Sequence, residues 1–246
     1  MKSVILSIVI LLIVPLSAQS GQMWNALELQ VKPGEAAEVI AAIDKFKASD
    51  PGKTGESSVR VHRILFAGAN PATHIVVGLY GSRADYDKIS QAASQTNDFP
   101  KLLKSIGKVA KPLSNVSNGT IQGWGTVSND DKIWTAINLQ VKDPMLFMQS
   151  MNEMMSSTDT KNFPGQIWLS RVAYGNAGFG GSSNMVVSIG YQSQTEMEKW
   201  NDQLYATGAW AKFMKANAEN STVINSVLSE IVKTWDNDLS LEDFKQ

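Results

Sequence analysis

The chain has 246 residues, 43% of them hydrophobic and 18% charged, with a formal net charge of -1 and no cysteine. That is enough apolar material for one or two cores without covalent staples, and it excludes disulfides, thiolate metal sites and cysteine nucleophiles. No block of Lys and Arg supplies the attraction on which nucleic-acid and anionic-membrane binding mostly rest, so neither partner is expected.

Residues 1–20 have the parts of a secretory signal peptide: Lys2, an apolar run from Val4 to Val14, Pro15, then the small residues Ser17, Ala18 and Ser20. The run is too short to span a bilayer. Cleavage after Ala18 or Ser20 is expected, giving a secreted or periplasmic protein with no membrane attachment once the leader is gone.

The next stretch, WNALELQVK (24–32), returns as WTAINLQVK (134–142), identical at six of nine positions. Duplication of one supersecondary unit predicts that later elements recur in order. LELQV (27–31) and INLQV (137–141) alternate in period two, as half-buried strands do. Each precedes a helix start containing Pro, with apolar spacing at Ala36, Val39, Ile40, Ile43 and Phe46 in the first copy and Phe147, Met151, Met154 and Met155 in the second. The Met-rich run MQSMNEMM (148–155) reads as core packing.

Hairpins follow: VRVHRILF (59–66) with HIVVGLY (74–80), and IWLSRVAY (167–174) with NMVVSIGY (184–191). The glycine-rich GNAGFGGSSN (175–184) lacks the Gly-Lys-Ser/Thr ending of a phosphate loop and reads as a flexible hairpin loop. SRADYDKIS and SQTEMEKWN each open a second helical region with acidic residues in its first turn, and a last strand closes each copy at Trp124 and Trp235. The expected organisation is a β-α-β-β-α-β unit over 21–127, a linker at 128–132, and a second unit with a C-terminal tail over 133–246.

One such unit carries its helices on one sheet face and leaves the other bare. Two units in tandem bury both bare faces, and a single chain avoids the association entropy of separate subunits. This duplicated order resembles the dimeric α+β barrel superfamily, in particular fused two-repeat members similar to antibiotic-biosynthesis-monooxygenase domains. The resemblance implies an α+β fold in which two ferredoxin-like repeats form an intramolecular barrel, as a monomeric pseudo-dimer or a higher homo-oligomer. Members of the superfamily include cofactor-independent oxygenases, haem-degrading and haem-binding enzymes, isomerases and proteins with no assigned activity, so fold does not choose the function. The haem-degrading members use Asn, Trp and a His borne on a helix. Asn25, Asn138 and several tryptophans are available here, but His62 and His74 both lie in strands. No cofactor and no metal site are expected.

Strand parity selects the interior. Leu27, Leu29 and Val31, with Ile137, Leu139 and Val141, suit the face beneath the helices. Trp24, Glu28 and Gln30, matched by Trp134, Asn138 and Gln140, lie on the opposite face, where mixed aromatic and polar groups suit a ligand pocket or a hydrogen-bonded repeat interface. Arg63 and Arg171 occupy matched positions, able to grip an anion or to form structural ion pairs. With a hairpin turn near residue 70, His62 and His74 stand on the order of 13 Å apart, too far to share a metal, and each reads as a surface or hydrogen-bonded residue.

Two function classes follow. One is an exported protein that binds a small, partly apolar molecule between its repeats, or serves as a noncatalytic envelope module, with Trp24, Gln30, Arg63, Trp134 and Gln140 as ligand contacts. The other is a cofactor-independent monooxygenase-like or isomerase-like enzyme on an aromatic or carbonyl compound, with Glu28, Asn138 and Arg171 as catalytic candidates and Glu28 as the base.

Overall fold

The computed structural model describes residues 22–175 and 182–240. The leader pattern and most of the glycine-rich hairpin loop lie outside them. The chain is a mixed α+β protein. Its first half runs β1 (Met23–Val31), α1 (Ala36–Lys47), β2 (Ser57–Phe66), β3 (His74–Tyr80), α2 (Arg83–Ser94), α3 (Asp98–Val109) and β4 (Ala110–Gly125). Its second half runs β5 (Ile133–Val141), α4 (Pro144–Met155), β6 (Gln166–Tyr174), β7 (Met185–Tyr191), α5 (Gln194–Tyr205), α6 (Gly208–Asn217) and β8 (Ser221–Asn237). Among the described residues no helix is long and apolar enough to cross a membrane.

Among the described residues, four of the six helices begin where a side chain satisfies free N–H groups of the first turn. Ser82 accepts from the Asp85 amide, Asp143 from the amides of Met145 and Leu146 with Pro144 at the first helical position, Ser193 from Glu196, and Thr207 from Trp210. Each of the expected second helical regions is two helices rather than one. In the first half a continuous helix would set the Pro100 ring against the carbonyl of Thr96, so the chain breaks before it and Pro100 falls in the first turn of α3, where its missing N–H costs nothing. In the second half the break comes at Thr207, which caps α6.

All strand pairs are antiparallel, and the sheet closes on itself in the order β1-β3-β2-β8-β5-β7-β6-β4. Two seams, β2 with β8 and β4 with β6, join the N-terminal strands to the C-terminal ones. Closure removes the unpaired edges that an open sheet would expose.

Parity sends one residue set outward under the helices and the other inward. Outside the first half, Leu29, Val31, Val39, Ile43, Val61, Ile106 and Ala110 form one core, with α1 packed on α3. Outside the second half, Leu139, Val141, Phe147, Met151, Met154, Leu169, Met185 and Trp200 form another, so the Met-rich helix is core. Inside the closed sheet, Ala26, Ile75, Val116, Val186 and Val227 form a third cluster.

The β2–β3 register corrects the spacing of the two histidines. His62 pairs with Ile75 and Arg63 with His74, so the imidazoles belong to neighbouring rungs, not to positions four residues apart. They still share nothing, because His62 points inward with Arg60 while His74 lies on the outward parity of Val76.

Candidate functional site

The barrel interior holds a cavity of about 120 Å³, many times the ~10–15 Å³ a single water needs and close to the ~150 Å³ of an apolar protein cavity that takes benzene. Its walls are mostly apolar, from Ala26, Ile75, Val77, Leu79, Val116, Ala136, Val186 and Val227 together with the indoles of Trp24, Trp134 and Trp168. Each indole N–H is already used: Trp24 donates to Ser170 Oγ at 3.0 Å, Trp134 to the Asp131 carbonyl at 3.0 Å, and Trp168 to Gln166 Oε1 at 2.8 Å. The rings are therefore fixed and turn apolar surface to the cavity.

Glu28, Arg60, His62 and Asn138 are the larger polar side chains in this lining, beside Ser114, Thr120, Thr135, Ser188 and Ser229, and the elements that aim these four differ between halves. Glu28 and Asn138 sit at matched points where the register of β1 on β4 and of β5 on β8 slips by a residue, a bulge being the usual device for re-aiming a side chain. The Glu28 carboxylate accepts from Asn70 Nδ2 at 3.0 Å and from Ser114 Oγ at 2.8 Å, so both oxygens are held. Asn138 donates to Asn225 Oδ1 at 2.7 Å. On β2, Arg60 and His62 face inward, alternating with the outward Val59 and Val61.

His62 Nδ1 lies 3.2 Å from Ser229 Oγ across the β2–β8 seam, and the ring meets Trp134 edge-on at 6.5 Å. Burial, reinforced by the charge of Arg60, pushes its pKa down to about 3, so it is neutral at physiological pH. Arg60 is only 3% exposed. Its Nε donates to Ser58 Oγ and its Nη2 to Asn129 Oδ1, both at 3.3 Å, and among the described residues no carboxylate lies within ion-pair distance of it. Burial lowers its pKa, while Asp236 and Asp131 raise it from farther off.

The segment expected as a bare linker contributes structure at this end. Asp131 is 1% exposed and accepts from Gln166 Nε2 at 2.7 Å, and burial raises its pKa. Leu239 of the C-terminal tail packs with Leu79 and Trp168.

Of the residues singled out from sequence, Trp24, Glu28, Trp134 and Asn138 are brought together around the cavity. Gln30 and Gln140 share their parity but are exposed, each next to last in its strand and absent from the cavity lining. Arg63 and Arg171 are exposed on the outward parity, away from the cavity, and Arg63 pairs with Glu230 at 2.6 Å. Sequence reasoning passed over Arg60, Trp168, Ser229 and Asp131, and set His62 aside. The signal for Arg60 and His62 is the alternation of VRVHR, which sets both on the face opposite Val59, Val61 and the Arg shared between copies. Among the described residues no three His, Asp or Glu side chains gather as a metal site would need.

No family model matches the sequence. No curated protein matches it either. Among solved structures, a proposed monooxygenase from Lactobacillus acidophilus NCFM superposes with a TM-score of 0.58 at 14% identity, covering 88% of this chain and 96% of that one. An anthrone oxidase-like protein gives 0.59 at 12% identity, covering 89% and 95%. A chlorite dismutase variant from Candidatus Nitrospira defluvii, solved with cyanide, gives 0.51 at 13% identity, covering 94% and 98%. Likeness at these identities establishes the fold alone, a mixed α+β architecture that this chain has in common with those proteins.

Proposed function

We propose that the chain is two ferredoxin-like repeats closed into one intramolecular barrel, exported behind the leader of residues 1–20, and that it binds a small, mainly apolar molecule inside the barrel. The observation that carries this reading is the interior cavity, walled by aliphatic side chains and three fixed indoles, in a core that packing alone would have filled. A volume near that of a benzene site sets the ligand at about one ring.

Binding without turnover fits the polar groups better than catalysis does. A general base works best with a pKa near the working pH, and His62 at about 3 is far below it. Both Glu28 oxygens are engaged by Asn70 and Ser114. The monooxygenase and oxidase names of structural neighbours keep an enzyme acting on an aromatic compound as the second reading. Turnover in the wild type that vanishes in Glu28→Gln would put it first.

The test is a titration of the purified protein with toluene, followed by tryptophan fluorescence and calorimetry. Saturable binding is expected in the wild type and its loss in Ala26→Leu or Ala136→Leu, which place extra methyl groups in the cavity. Binding that survives both variants, or no binding to the wild type, contradicts the proposal.

A further inference from the structure

We propose that the ligand is anionic, a single-ring aromatic or comparably sized apolar body bearing a carboxylate that Arg60 holds. This inference rests on the interior cavity being a binding site. It starts from a mismatch. Taking a guanidinium out of water is costly unless charge or hydrogen bonds replace the lost hydration, and buried Arg residues are ordinarily paired. Arg60 is buried on the cavity wall, yet it has only two long hydrogen bonds, to Ser58 and Asn129, and among the described residues its Nη1 has no partner.

The fork of donors on a guanidinium matches a carboxylate in two parallel bonds, which a neutral amide cannot reproduce. No other Arg and no Lys lines the cavity, so the anionic group has one place to go. Neighbouring His62 does not compete for it, since it is neutral and directed to Ser229. The carboxylates on this side weaken the attraction without cancelling it. Asp236 and Asp131 act on Arg60 from beyond ion-pair distance, and Asp131 has one oxygen tied to Gln166.

Glu28 belongs to a different part of the lining, its oxygens bound by Asn70 and Ser114. A ligand carrying its anion toward Arg60 therefore presents its apolar body to the Ala26, Val116, Val186 and Val227 wall. That polarity is absent from the second half: residue 168, at the position matching Arg60, is Trp. The cavity thus has one cationic side, and a ligand with a single anion binds in one orientation.

The experiment compares benzoate, benzamide and toluene on the purified protein by calorimetry and ligand-observed NMR, in wild type, Arg60→Met and Arg60→Lys, each first checked for a cooperative thermal transition. A charge-assisted pair in a dry site favours benzoate over benzamide by about tenfold or more. Arg60→Met removes that preference and leaves toluene bound; Arg60→Lys keeps part of it, and decides the matter should the methionine variant fail to fold. Equal affinity of the wild type for benzoate and benzamide, or an undiminished preference in the folded variants, overturns the anion assignment while toluene binding keeps the cavity reading. Failure of all three compounds to bind the wild type overturns both.

Discussion

At the scale of single residues, the polar interior of this barrel is asymmetric where the sequence repeat is not. Aligning VRVHR (59–63) with IWLSR (167–171) puts Arg60 opposite Trp168 and His62 opposite Ser170, while the shared Arg63 and Arg171 fall outside. Identity between copies therefore pointed at the solvent face of β2 and β6, and the residues that shape the cavity were the ones that had diverged. His62 makes this measurable. In the folded protein it stays neutral down to about 3, whereas an unfolded chain protonates it near 6.5. Between those values the unfolded state binds more protons, so stability falls as pH drops through that window, by at most about 1.4 kcal/mol per pH unit for this one group. His74, also lowered by burial and by Arg63, acts in the same direction, and Asp131, raised by burial, acts against it. Denaturant melts of wild type and His62→Gln at about pH 7 and about pH 5 are expected to show a smaller loss in the variant; equal losses would contradict a buried neutral imidazole.

At the scale of elements, the strands are shaped around the indoles. Gly190 on β7 lies beneath Trp134, and an added Cβ there would sit 2.8 Å from Trp134 Cζ2 and 3.1 Å from Gln166 Cγ. Gly123 on β4 stands in the same relation to Trp168, 2.8 Å from its ring. The absent side chains let each ring lie against the strand, so Gly190→Ala is expected to push Trp134 into the cavity. Overpacking of this kind costs about 1–3 kcal/mol. The thermal midpoint should fall, the near-ultraviolet dichroism of the tryptophans should change, and toluene affinity should drop. A variant identical to wild type in all three would show that the ring is not confined as described. The two bulges at Glu28 and Asn138 belong to the same scale: period-two alternation predicted the strands and their inward residues, but a slip of register arises from pairing between strands distant in sequence, and alternation within one strand carries no trace of it.

At the scale of the whole molecule, the order of strands and helices was legible because hydrophobic periodicity switches between two and 3.6 wherever an element changes, and because the same order occurs twice. The division of each second helical region was visible only as Pro100 and Thr207. Parity placed Trp24, Glu28, Trp134 and Asn138 on the inner face and also Gln30 and Gln140, since parity knows the face of a sheet and not how far the opposing wall extends. Cavity size, the burial of Arg60 and the packing of Asp131 and Leu239 at one end depend on contacts between the two halves, which no local pattern encodes. The binding function stands on uptake of a ligand by the space between those halves. The direct measurement is a crystal of the protein soaked with bromobenzene, read by the anomalous signal of bromine. A bromine peak is expected inside the barrel among Ala26, Val116, Val186 and Val227; an interior filled by side chains, or a soaked crystal with no peak there, would contradict ligand uptake.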